Sequence, residues 1–95
     1  MRYPILLEPD DDKFATGVVV PDLPGCFSAG DAFVEAFENA HEAIELWVEG
    51  TLEDGRDIPK PSTLDEIRSQ PGHRGWILSS VDVDIEGLLR RAGRV

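Results

Sequence analysis

Two stripes in the middle of this 95-residue chain constrain it most. Phe33, Phe37, Ala40, Ile44 and Trp47 recur at spacings of four, three, four and three, the period of one face of an α-helix. Glu35, Glu38, Glu42, Glu45, Glu49 and Glu53 recur at spacings of three or four. They lead or trail the first stripe by one or two residues, which places them roughly opposite it. The pattern predicts one long helix, closed by Gly50 or Gly55, with an apolar face to bury and an acidic face turned outward. A single apolar face needs another layer to cover it.

The flanking residues supply strands. In Tyr3–Leu7, Tyr3, Ile5 and Leu7 share one face, and Pro4 suggests a sheet edge or a strand start. After a polar turn at Asp10-Asp11-Asp12-Lys13, residues Phe14–Val20 form a β-branched run with Phe14, Thr16, Val18 and Val20 on one side, completing a hairpin. Pro21-Asp22-Leu23-Pro24-Gly25 breaks the pattern, and Cys26–Ala29 reads as a short third strand. Past the helix, Arg56–Pro61 is a loop. Ser62 opens a short helix to Arg68, with acids in the first turn where the dipole favours them. Pro71-Gly72-His73 turns the chain into a fourth strand within Gly75–Asp84, where Ile77, Val81 and Val83 alternate with Leu78 and acids. The order is β-β-β-α-(α)-β, an α+β fold with one main helix on an antiparallel-rich sheet. The length sustains a single core.

Charge narrows the function. Nineteen acids oppose nine bases, for a net charge of −10. Residues 1–54 carry thirteen acids and two bases, whereas residues 55–95 carry six acids and seven bases. Such a chain repels nucleic-acid phosphates before any specific contact can form, and it favours a basic partner. The single cysteine, Cys26, cannot form an internal disulfide, so this is not a disulfide-stapled secreted domain. Uncharged runs such as Phe14–Pro21 fall far short of the roughly 20 residues of a membrane helix, and the N-terminus has no apolar stretch of signal-peptide length. A cytoplasmic protein is expected.

No catalytic constellation stands out. Asp10, Asp11 and Asp12 are adjacent, and neighbours in a turn point apart, as at a solvated hairpin tip. Asp82 and Asp84 alternate onto one side of the last strand and could share a cation, although no third ligand is identifiable. Cys26 beside Phe27 reads as a small buried thiol. His41 lies on the helix flank, and His73 in a turn beside Arg74. Metal-ligand, redox and phosphate-loop patterns are absent. The glutamate ladder remains. A solvated outer face that keeps the domain soluble explains most such stripes, yet this one has almost no lysine or arginine at i+4 to relieve it, and each like-charge pair costs a few tenths of a kcal/mol. A helix that tolerates this is a plausible dock for a basic protein.

Several motifs together resemble the HicB antitoxin family. They are Met1-Arg2-Tyr3-Pro4, the run Val20-Pro21-Asp22-Leu23-Pro24-Gly25-Cys26-Phe27-Ser28, Gly30-Asp31, and the helical Glu35-Ala36, Asn39-Ala40 and Glu42-Ala43. The likeness continues through Glu53-Asp54-Gly55, Ile58-Pro59 and Pro61-Ser62 into Val81-Asp82-Val83-Asp84. It implies a partial RNase H-like fold without the metal-binding acids of RNase H, and hence no enzymatic activity. It also implies a partner: HicA, a small basic mRNA-cleaving toxin with a double-stranded-RNA-binding-domain-like fold and an active-site histidine. The antitoxin would cover that surface.

The chain departs from the family pattern twice. Ala32 stands where a threonine often pairs with Glu35 in a capping box, so Asp31 is expected to take the N-cap. Family members also usually continue into a ribbon-helix-helix or helix-turn-helix module that binds operator DNA. Here residues 1–85 form the HicB-like domain, and residues 86–95, with Arg90, Arg91 and Arg94, form a tail where that module would follow. No DNA-binding residue is assigned. The expected function is therefore a non-catalytic antitoxin domain that inhibits a HicA-type toxin, without cofactor or metal, as a homo-oligomer. The toxin-binding residues expected from charge and exposure are Glu35, Glu38, Glu42, Glu45 and Glu49, with Asp10, Asp11 and Asp12 second. The alternatives are a degenerate metal-dependent nuclease and an orphan protein-interaction domain.

Overall fold

The computed structural model describes residues 1–8, 16–72, 75–91 and 93. Asp10, Asp11, Asp12, Lys13, Phe14, His73, Arg74 and Arg94 lie outside them. The elements are β1 (Arg2–Leu7), β2 (Thr16–Val19), β3 (Phe27–Gly30), α1 (Phe33–Glu53), α2 (Leu64–Arg68), β4 (Ile77–Asp82) and α3 (Ile85–Arg91). The strands form one antiparallel sheet in the order β3-β2-β1-β4, with α1 against one face. This is the α+β arrangement expected, with α3 in addition.

Alternation divides the strands as the sequence suggests, except at Ile77, which shares the side of Val81 yet is 45% exposed because it lies at the end of β4 beyond the cover of the helix. Tyr3, Ile5, Leu7, Val18, Val20, Val81 and Val83 are buried in one core with the helix. Pro4, however, does not mark an edge, because β1 is an interior strand. The register explains how proline fits there. Met1 N donates to the Val83 carbonyl at 2.8 Å and Val83 N donates back to the Met1 carbonyl at 2.8 Å. Counting from that reciprocal pair, Pro4 opposite Ser80 is a non-hydrogen-bonded position of the β1–β4 ladder. On its other side, pairing with β2 begins only at Leu6. No ladder bond needs the missing N–H.

The apolar stripe of α1 is shifted from the expected one. Ala36, Ala40, Ile44 and Val48 are buried, followed by Thr51 and Leu52, whereas Phe33 and Phe37 remain 37% and 38% exposed. The reason is the closeness of helix and sheet. A Cβ built on Gly30 would lie 2.7 Å from Ala36 Cα, so the first turns of α1 rest directly on β3. No space for a ring exists between them, and the two phenylalanines lie at the margin. Trp47 is half-buried and donates from Nε1 to the Pro24 carbonyl at 3.0 Å, while Asn39 Nδ2 donates to the Ala29 carbonyl at 2.8 Å.

Both ends of α1 refine the expectation. The N-cap is Ala32 and not Asp31, and no side chain caps the helix. The tight seat of Ala36 on Gly30 fixes the helix start in spite of the missing cap. At the other end Gly50 lies within the helix, and Gly55, with φ +72°, is the terminator. Gly55 N donates to the Leu52 carbonyl and Arg56 N to the Thr51 carbonyl, a Schellman closure. The short helix α2 is capped by Thr63, one residue after the expected Ser62, in a reciprocal capping box with Glu66. Ser62 instead binds Asp22 through its N–H at 2.8 Å and its hydroxyl at 2.6 Å.

Candidate partner-binding surface

At about 100° per residue, Glu35, Glu38, Glu42, Glu45, Glu49 and Glu53 fall within an arc of roughly 80° on α1, facing away from the sheet. Glu35, Glu38, Glu42 and Glu53 are exposed, and Glu45 and Glu49 are half-buried. The ladder is not uniform electrostatically. Glu45 accepts from His41 Nδ1 at 3.2 Å and lies 3.6 Å from an Arg91 guanidinium nitrogen. Tertiary structure thus supplies relief that helical spacing does not, because α3 packs Leu88 into the core and brings Arg91 across to α1. Glu35, Glu38 and Glu42 form no ion pair among the described residues. The last turn of α1 carries no base either, so Glu53 sits against the dipole unrelieved by a cation in that turn.

The N-terminal half of this face is not purely acidic. Val34, 71% exposed, and the margin residue Phe37 flank Glu38, and Leu46 is exposed further along. The acidic face is therefore bordered by accessible apolar side chains. Sequence reasoning missed this part, since it assigned Phe37 to the core. The signal was the adjacency of Val34 and Leu46 to the glutamate stripe.

Other candidate groups have structural work. Asp82 and Asp84 do not converge: Asp82 Oδ1 lies 3.3 Å from the N-terminal ammonium, and Asp84 Oδ1 accepts from Gly87 N at 3.0 Å, capping α3. No cluster of three metal-ligating side chains occurs among the described residues. Cys26 is buried and free, and burial pushes its thiol upward from 9.0, away from a reactive thiolate. An open cavity of about 480 Å³ between α2 and the outer sheet face, lined by Leu6, Pro21, Ile67, Trp76 and Leu78 among others, brings together no acid–base pair.

The run Val20–Cys26 is a structural junction. Cys26 N donates to the Leu23 carbonyl and Val20 N to the Cys26 carbonyl, around Gly25 at φ +81° and a buried Leu23. Asp22 holds Ser62, and the Pro24 carbonyl receives Trp47. Nearby, the buried Tyr3 hydroxyl donates to the Pro59 carbonyl at 2.7 Å. These bonds fasten the loop after α1 to the hairpin, so the most distinctive motif in the chain builds the scaffold.

Comparison with known proteins agrees with this scaffold. A family model described as the HicB-like antitoxin of bacterial toxin–antitoxin systems matches residues 3–95. The chain is 43% identical over 95 residues to an uncharacterized 14.9 kDa protein of Haemophilus phage HP1, covering all of this chain and 70% of that protein. The antitoxin HicB of Burkholderia pseudomallei superposes with a TM-score of 0.80 at 37% identity, covering 90% of this chain and 65% of that one. A chain of the HicA3 and HicB3 toxin–antitoxin complex superposes with a TM-score of 0.74 at 30% identity, covering 88% of this chain and 99% of that one. The chain therefore spans about two thirds of the phage protein and of the Burkholderia antitoxin. With a family match over nearly its whole length and the same sheet-and-helix core, the chain belongs to the HicB-like antitoxin family of bacterial toxin–antitoxin systems.

Proposed function

We propose that this chain is a non-catalytic antitoxin domain that binds a HicA-type ribonuclease toxin in the cytoplasm and inhibits it with the acidic face of α1. The observation that carries this reading is the row Glu35, Glu38 and Glu42, exposed, without ion pairs among the described residues, and set beside accessible Val34 and Phe37. Glu45 and Glu49, half-buried on the same arc, would border the contact. Asp10, Asp11 and Asp12 stay the second candidates. The complex of HicA3 with HicB3 supports a toxin as the partner class.

The physical logic is competition. A toxin that cleaves RNA must present a basic surface to phosphate, and a row of carboxylates at about 5–6 Å intervals on a rigid helix offers that surface a substitute. The helix holds these charges in place at a cost in mutual repulsion, which a cationic partner would relieve. Operator DNA would be reached only through a C-terminal module of the kind many family members carry.

The test is co-purification with a HicA-type toxin, followed by single-turnover RNA cleavage with and without this chain. A stoichiometric complex with lost cleavage is the expected result. The double variant Glu38→Lys with Glu42→Lys is expected to weaken the complex at least about tenfold, or ~1.4 kcal/mol. Unchanged affinity in that folded variant would move the interface away from α1.

A further inference from the structure

We propose that Arg91 of α3 sets the footprint of a basic partner on α1: by occupying Glu45 it closes the middle of the glutamate arc and directs the partner's cations to Glu35, Glu38 and Glu42. The inference rests on the reading of that arc as the toxin-binding face and names the residue that divides it.

The helix α1 contains no lysine or arginine, so a fixed cation on its acidic face must come from elsewhere in the chain. It comes from α3. That helix is held by the buried Ile85 and Leu88, and Asp84 Oδ1 closes its first turn by accepting from Gly87 N at 3.0 Å. Arg91 Nε donates to the Gly87 carbonyl at 3.4 Å, one turn back, and a terminal guanidinium nitrogen lies 3.6 Å from Glu45 Oε2. His41 Nδ1 lies 3.2 Å from Glu45 Oε1. Both carboxylate oxygens of Glu45 therefore have a partner within the chain. The Arg91 side chain is 64% exposed, so a partner's cation competes with it from solvent.

The consequence is a divided arc. Glu35, Glu38 and Glu42 form no ion pair among the described residues, and Glu49 and Glu53 follow beyond Glu45. Glu42 and Glu49 are about 10 Å apart along the helix axis, close to the distance over which physiological salt screens a charge. A partner therefore meets two acidic groups and not one continuous row. The N-terminal group has three exposed carboxylates with Val34 and Phe37 beside them, whereas the C-terminal group has two, and Glu49 is half-buried. Charge and accessibility favour the first. Arg90, the neighbour of Arg91, is exposed and forms no ion pair among the described residues. It projects about 100° away around α3, so it carries the same charge without the contact.

The experiment measures toxin affinity by titration calorimetry for the whole chain and its folded Arg91→Ala, Arg90→Ala, Glu42→Gln and Glu45→Gln variants. Glu45→Gln is expected to change affinity less than about twofold, and Glu42→Gln to weaken it more. Arg91→Ala is expected to tighten binding by up to about fivefold, the range of an exposed ion pair, and beyond the effect of Arg90→Ala. That gain should vanish when Glu45→Gln is already present, because the two side chains act through one contact. An Arg91→Ala protein that binds as Arg90→Ala does would overturn the proposal, as would a gain that persists without the Glu45 carboxylate. Octalysine, titrated while the glutamate side-chain carbons are followed by NMR, tests the same division without toxin. Glu45 is expected to shift in Arg91→Ala and to stay still in the parent while Glu35, Glu38 and Glu42 move; equal shifts at Glu45 in both proteins would refute the footprint. A parent chain that fails to bind toxin refutes the toxin reading alone, since the octalysine result still decides the role of Arg91.

Discussion

Gly30→Ala tests the tightest joint in the molecule. Gly30 lacks a positive φ, so alanine could adopt its backbone, and the loss of unfolded-state freedom alone would stabilise the fold by about 0.4–1 kcal/mol. The joint reverses that sign. The added Cβ would lie 2.7 Å from Ala36 Cα and 2.7 Å from the Glu35 carbonyl carbon. Unstrained carbons approach to roughly 3.5–4.0 Å, which leaves a deficit of about 1 Å. The obstructing atoms are helix backbone and cannot rotate aside. α1 must lift from β3, loosening Ala36 and Ala40, so the cost is expected at the upper end of overpacking, about 3 kcal/mol. In a domain of this size that lowers Tm by roughly 12–24 °C. Gly50→Ala is the control, because nothing lies within 4 Å of its Cβ position inside α1. There alanine should stabilise by about 1 kcal/mol. Thermal and urea unfolding followed by circular dichroism would measure both. A Gly30→Ala protein as stable as the parent would refute the close seating of α1 on β3, and with it the explanation for the exposed phenylalanines.

Stability should fall in alkali. Burial raises the Cys26 thiol from 9.0, and burial followed by the Asp22 carboxylate raises the Tyr3 hydroxyl from 10.0, so the folded chain retains protons that the unfolded chain releases. That contribution is complete below pH 9 and is lost as pH rises through the folded values; unfolding at stepped pH should show the decline, reduced in a Cys26→Ala, Tyr3→Phe protein. Tyr3→Phe by itself also strips the Pro59 carbonyl of its donor and should cost about 1–1.5 kcal/mol at neutral pH in urea titrations. Thr63→Ala breaks the capping box of α2 and should raise hydrogen exchange at Glu66 and Ile67, with about 1 kcal/mol lost and toxin inhibition retained. If exposed glutamates carry toxin binding, affinity should drop steeply with salt, mainly through slower association; a flat salt dependence by surface plasmon resonance would argue against it.

How far the chain could be read from its sequence depended on where the determining interactions lie. Period-two and period-3.6 patterning is local, and it placed the four strands, α1 and α2 in order, with Tyr3, Ile5, Leu7, Val18, Val20, Val81 and Val83 inward. The arc of glutamates was legible for the same reason, since spacing along one helix sets which residues share a face. Local backbone chemistry offered Gly50 or Gly55 as terminator, and the structure selects Gly55.

Contacts between remote segments decided the rest. Which residues of α1 reach the core depends on how closely α1 approaches β3, and Gly30 settles that in favour of Ala36 and Ala40 over Phe33 and Phe37. Pro4 is interior because β4, some seventy residues later, pairs on its far side at a position that needs no N–H. Glu45 has a cation only because α3 folds back, whereas Glu35, Glu38 and Glu42 do not among the described residues. Asp82 and Asp84 are parted by separate partners, the N-terminus and Gly87. The sequence by itself determined that an acidic amphipathic helix covers a small antiparallel sheet, because side-chain periodicity is a property of each segment. Tertiary structure decided which carboxylates of the ladder gain a cation and which apolar residues of α1 reach the core, because charge pairing and close packing depend on what the rest of the chain brings alongside.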